Sequence, residues 1–134
     1  MKIENPKVVQ NILLDKINTV ETGLLTAYPQ NGLEQQLKKG SRYNGTEKVE
    51  SFLSFHPAAA QQSIDLVFAV ACTARGAIFS SEITWSDGKV IDEVVVCEVC
   101  PQCFDQLGER VDNVVAGIQD SLVERMVDLL ENFS

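Results

Sequence analysis

The sequence predicts one α+β domain: an N-terminal helix, a four-stranded and mostly antiparallel sheet, and a long C-terminal helix, with both helices on one sheet face. Three observations predict it. Apolar residues recur at three- and four-residue steps up to Tyr28 and again through the last third, which places them along one side of a helix. From about Val49 the pattern changes to β, and Ala77 to Trp85 alternates Phe79, Ile83 and Trp85 against Ser80, Glu82 and Thr84, the period of a strand with one wet face. The 134 residues suffice for one core and not for two, so 1–134 is read as a single domain.

The first helix has its start written in. Asn5 can accept a backbone N–H as N-cap, and Pro6 suits the first helical position because its missing donor would be orphaned there anyway. Val9, Leu13, Ile17, Val20, Leu24 and Tyr28 form the apolar stripe, and Pro29 ends the helix by pushing its predecessor out of the α region. Residues 30–48, with Gly32, Gly40 and Gly45 beside Asn31 and Asn44, read as a weakly ordered loop in which Leu33 to Lys39 form at most a turn or two of helix.

Strands are expected at Lys48 to Phe55, Ser63 to Thr73, Ala77 to Trp85 and Lys89 to Glu98, with a turn at Arg75-Gly76. Asp87-Gly88 predicts a two-residue type I′ hairpin turn. That turn sets Trp85 opposite Val90, Ile83 opposite Asp92, Ser81 opposite Val94 and Phe79 opposite Val96, which leaves Asp92 as the polar exception on an apolar face. The last helix is expected from Gln102 to Asn132, with a seam through Phe104, Leu107, Val111, Val114, Ile118, Leu122, Met126, Leu129 and Phe133. At about 45 Å it outruns a four-stranded sheet. The first helix and a second copy of the chain are both expected to cover it, giving a homodimer.

A formal charge of −8 repels phosphate backbones and anionic lipid, so neither nucleic acid nor a membrane is expected as partner. Lys38, Lys39 and Arg42, the local basic cluster, read as a solvated loop. No secretory leader is visible, and the longest apolar run, Leu66 to Cys72, is far short of the roughly 20 residues that span a bilayer. A cytoplasmic protein is expected, with its four cysteines as thiols or metal ligands rather than disulfides.

Cys97, Cys100 and Cys103 are the constellation with chemical bite. They form two overlapping Cys-x-x-Cys pairs where the fourth strand gives way to the long helix, and each pair has the spacing that lets two thiolates share one ion. Zinc or an iron–sulfur cluster is the implied cofactor, with Cys72 as the candidate fourth ligand. Against this, the expected turns place Cys72 opposite Phe79 and Cys97 opposite Ile78, on opposite faces of the sheet. Cys100-Pro101-Gln102-Cys103 resembles the Cys-Pro-x-Cys active-site tetrapeptide of glutaredoxins, which also lies between a strand and a helix N-terminus. That resemblance covers four residues and implies a thiol of lowered pKa. The plainer reading, which ranks first, is that these are small apolar side chains packed at a corner, and Cys72 within Val70-Ala71-Cys72 reads as core.

His56 has no neighbouring carboxylate or nucleophile and reads as a cap at a strand end. Asp92-Glu93, adjacent on a strand, point to opposite faces and do not make one acid–base centre. Trp85 reads as a packing anchor. No phosphate-binding glycine loop, nucleophile elbow or metalloprotease helix appears. The layout is similar to that of type III secretion chaperones, which implies a protein that holds a partner. The leading expectation is therefore a small acidic non-catalytic binding or adaptor protein with an unknown protein partner. The alternative is a metal-binding or thiol-redox protein acting through the cysteine cluster.

Overall fold

The computed structural model describes residues 5–29, 32–44, 47–73, 76–100 and 107–133, with the side chains of 44 and 93–100 outside the description. Helix α1 (Pro6–Ala27) leads through a single helical turn, α2 (Leu33–Gln36), into five strands: β1 (Lys38–Asn44), β2 (Lys48–Phe55), β3 (Ile64–Thr73), β4 (Gly76–Trp85) and β5 (Val90–Cys100). Helix α3 (Leu107–Asn132) closes the chain. The strands follow one another as an antiparallel meander in the order β1-β2-β3-β4-β5. Both helices lie on one face of it, α1 over β1 to β3 and α3 over β5, and they also pack on each other.

α1 starts as its sequence demands: Asn5 Oδ1 accepts the Val8 N–H at 3.4 Å and Pro6 takes the first turn. Val9, Leu13, Ile17, Val20 and Leu24 are all buried, one continuous stripe laid on the sheet. β2 alternates strictly, with Val49, Ser51, Leu53 and Phe55 inward. β3 is buried on nearly both faces, as a central strand must be. One continuous core joins these to Phe79 and Ile83 of β4 and to Leu107, Val111, Val115, Leu122 and Met126 of α3. Phe68 and Phe79 meet at its centre, ring centroids 5.6 Å apart. Phe133 stacks edge-on against Trp85 at 5.3 Å, and its carbonyl accepts the Ala59 N–H, so the end of α3 is latched to the β2–β3 connector.

Three expectations need correction. The sheet has five strands, because Lys38–Asn44 pairs along its whole length with β2. Its Lys-Lys-Gly-Ser-Arg-Tyr-Asn sequence has no apolar alternation. Polar contacts and backbone pairing hold it: Lys39 Nζ reaches Asn18 Oδ1 (2.8 Å) and Glu21 Oε1 (3.0 Å) on α1, Tyr43 donates to Gln10 Oε1, and Ser41 meets Ser51. The lysines also blunt an edge that would otherwise invite another strand.

The second correction is the hairpin turn. Gly88 is at φ +93° but no other residue nearby has positive φ, so this is not a type I′ turn. Trp85 donates to the Lys89 carbonyl and Gly88 donates to the Trp85 carbonyl, which gives a three-residue loop with glycine in the left-handed position. Asp87 avoids strain there: Oδ1 accepts the Lys89 N–H at 2.9 Å, and Gln62 contacts both its backbone and its carboxylate. Those bonds, the Lys89 one foremost, lower the Asp87 pKa.

Register is the third correction. Thr73 pairs with Gly76, so the β3–β4 turn comes one residue earlier than expected. β5 then passes over Ile91, Val94 and Val99 in three register shifts. Asp92 still faces Ile83, but Val95 rather than Val94 lies opposite Ser81, and Cys97 rather than Val96 lies opposite Phe79.

Candidate functional site

The cysteines come first because the sequence singled them out. Cys72, near the end of β3, is half-buried, and burial, reinforced by the nearby Glu47 charge, pushes its thiol pKa up. That favours a protonated thiol over a nucleophile. The corrected register removes the opposite-face objection at the level of the backbone: Cys72 pairs with Ala77 and Cys97 with Phe79, alternate residues of one strand. Ala77 also pairs with Cys100, so Cys72, Ala77 and Cys100 form one cross-strand row. Two strand spacings, about 10 Å, separate the ends of that row, at the outer reach of two thiolates sharing one ion. The side chains of Cys97 and Cys100, and Cys103 with the expected helix start at 102, lie outside the described residues. Among the described residues no group of three His, Cys, Asp or Glu side chains is arranged to hold a metal ion.

His56 does hold its connector. Nε2 donates to the Ala60 carbonyl at 3.0 Å, and Nδ1 lies 3.3 Å from Ser63 Oγ. Asp92, the polar exception on the apolar face, meets Arg125 Nε of α3 at 3.2 Å. The pair lies in a depression of about 310 Å³ lined also by Ile83, Ile91 and Leu129. Sequence reading flagged Asp92 and missed its partner, because nothing in the spacing of the two residues relates them.

A larger concavity among the described residues lies between the C-terminal end of α1 and the second half of α3. The helices approach closely at Gly23, where a Cβ would stand 3.1 Å from Val123 Cγ2. Past that crossing they leave a groove of about 510 Å³. Gly23, Ala27, Val123 and Val127 give it an apolar floor, and Asp120, Glu124 and Asp128 line its α3 wall. No lysine or arginine lines it.

Those three carboxylates are spaced four residues apart, on one side of α3, and all are exposed. They make no ion pair among the described residues, where Arg125 is engaged by Asp92 and Lys16 by Asp112 and Asp15. The arrangement does not help α3 itself. Like charges at i, i+4 are unfavourable by about 0.2–0.5 kcal/mol a pair. Asp128, just before the last turn, also opposes the helix dipole, and no basic residue occupies that turn to offset it. The acidic stripe is readable in the sequence once α3 is drawn as a helix. The groove is not, because it depends on where α1 crosses α3.

No protein-family model, curated protein or solved structure matches this chain.

Proposed function

We propose that the protein is a non-catalytic binding module, an adaptor of the cytoplasm that holds another chain in the groove between α1 and α3. The observation that carries this reading is the groove itself: an apolar floor beside a carboxylate stripe that makes no ion pair among the described residues and does not help the helix that bears it. Carboxylates that do nothing for their own helix are free to meet the cations of a partner, and the apolar floor beside them can bury its side chains.

A photo-crosslinking amino acid placed at Ala27 in the groove, and separately at Ser80 on the sheet face away from the helices, tests the reading in cells. Adducts from position 27 and none from position 80 support it. Adducts from position 80 alone, or from neither, overturn it.

A homodimer is a second component of the proposal. In the structure α1 runs beside α3, one of the two covers expected for it; the second copy is the other. Light scattering decides the matter: twice 14.8 kDa supports the dimer, and the mass of one chain removes it. The acidic surface keeps nucleic acid and anionic membranes outside the proposed partners, and among the described residues no helix is long and apolar enough to cross a membrane.

One observation favours a second reading, a metal-binding or thiol-redox protein acting through Cys97, Cys100 and Cys103 with Cys72. It is the cross-strand row Cys72–Ala77–Cys100, which brings a fourth cysteine to the strand ends where the triplet begins. Metal analysis of anaerobically purified protein tests it. Near-stoichiometric zinc, or an iron–sulfur absorption band at about 400 nm, promotes it. Metal-free protein in which the Cys100 thiol titrates at or above the free-cysteine value of about 8.5 ends it.

A further inference from the structure

We infer that the occupant of the α1–α3 groove is a basic amphipathic helix of another protein, about three turns long. The inference rests on the adaptor reading and adds the chemistry of the partner.

Length comes first. The lining of α3 runs from Gln119 to Asp128, a span of about 14 Å at 1.5 Å per residue, which matches roughly three helical turns. Conformation follows from the walls. Both are helices, whose backbone groups are already paired within themselves, so an extended chain laid in the groove would find no N–H or C=O to pair with. A helical occupant brings its own backbone bonds and needs only side-chain complementarity.

Charge sets the rest. Asp120, Glu124 and Asp128 repeat once per turn along one wall. A partner helix with lysine or arginine at i, i+4 and i+8 would meet each of them and relieve two like-charge pairs. Its apolar face would rest on Gly23, Ala27, Val123 and Val127, small side chains that let a second backbone approach closely.

A second copy of this chain does not fit that description. α1 carries Lys7 and Lys16 and α3 carries Arg110 and Arg125, so neither presents three cations at one-turn spacing.

The test uses the full chain and a fluorescent peptide of about four turns, leucine and alanine on one face and three lysines at one-turn spacing beside them. A control peptide has the lysines replaced by glutamates. Binding is read by anisotropy at low salt. The lysine peptide is expected to bind, and the glutamate peptide about tenfold more weakly or not at all, the combined worth of three exposed charge pairs. Raising the salt to about 1 M, where the screening length falls to about 3 Å, should cost a similar factor. The variant Asp120→Asn, Glu124→Gln, Asp128→Asn should lose about tenfold in affinity with no loss of thermal stability, since it removes like-charge pairs. Ala27→Trp should abolish binding by filling the groove from an exposed position.

Equal binding of both peptides, blocked by Ala27→Trp, overturns the basic-helix inference and leaves the adaptor reading standing. Lysine-peptide binding that Ala27→Trp leaves unchanged is diffuse attraction to an acidic surface and overturns it too. If neither peptide binds, the inference fails, and crosslinking from position 27 decides the adaptor reading on its own.

Discussion

Ser51 and Ser81 occupy matching places in this protein and live in opposite surroundings. Both are fully buried on the helix-covered side of the sheet, and both stand opposite Phe68, one on β2 and the other on β4. Ser51 Oγ meets Ser41 Oγ at 2.7 Å and lies 3.3 Å from the Gln10 carbonyl of α1. Ser81 Oγ has no hydrogen-bond partner among the described residues. One cross-strand row therefore passes from a polar seam, where β1 is tied to α1 by side-chain hydrogen bonds, into an apolar centre where a hydroxyl is stranded. β1 depends on polar ties because its residues offer no apolar stripe. β3 and β4 depend on packing. The two halves of the sheet should fail in different ways.

The largest test of that contrast strikes the residue between the serines. Phe68→Ala removes a ring at the centre of the core and should lower stability by about 3–5 kcal/mol in urea unfolding. A loss below about 1 kcal/mol would mean that the core is not continuous across the row. Ser51→Ala comes next, at about 1 kcal/mol, because it removes the hydroxyl that ties β1 and α1 to the sheet. Hydrogen exchange should then quicken in β1 before it does in β3. Ser81→Ala, the same change two strands along the row, should be neutral or stabilising by up to about 1 kcal/mol, since it removes an unpaired buried polar atom and leaves no partner behind. Equal effects from the two serine variants would contradict the comparison.

The smallest effect belongs to the outer face of the polar half. Burial pushes the Glu50 pKa up, but hydrogen bonds from Arg42 and Lys48 outweigh it and hold the carboxyl below its ordinary 4.5. A lowered folded pKa means stability that is present above 4.5 and lost as pH falls through the folded value. The stability difference between the natural chain and Glu50→Gln should therefore be small, favour the glutamate near neutral pH, and vanish in acid. A difference that grows on acidification would show that the ion pairs do not support the carboxylate.

The same contrast explains what could be read in the sequence. α1 and β2 were legible to their ends because a cap and two prolines, Pro29 and Pro57, bound them. β1 was not, because a strand held by its neighbour and by Lys39, Ser41 and Tyr43 carries no periodic signal of its own. The Asp87-Gly88 turn was found in place but not in type, since Asp87 satisfies itself through Lys89 and Gln62 instead of adopting positive φ. A turn that begins one residue early and three bulges in β5 then moved Cys97 into register with Phe79. Small local choices of that kind invert a parity argument, and no spacing rule contains them. For the candidate site, the carboxylate stripe was present as an i, i+4 pattern. Its meaning waited on Gly23, whose contact with Val123 fixes where the two helices cross.

The account stands or falls on that crossing. Two-dimensional NMR of the isotope-labelled protein, titrated with the lysine-bearing amphipathic peptide, addresses it directly. A peptide seated in the groove should produce progressive shifts confined to Gly23, Ala27, Val123, Glu124, Val127 and their immediate neighbours. Shifts centred instead on Phe52, Ile78 and Ser80 across the sheet, or no shifts at saturating peptide, would contradict that placement.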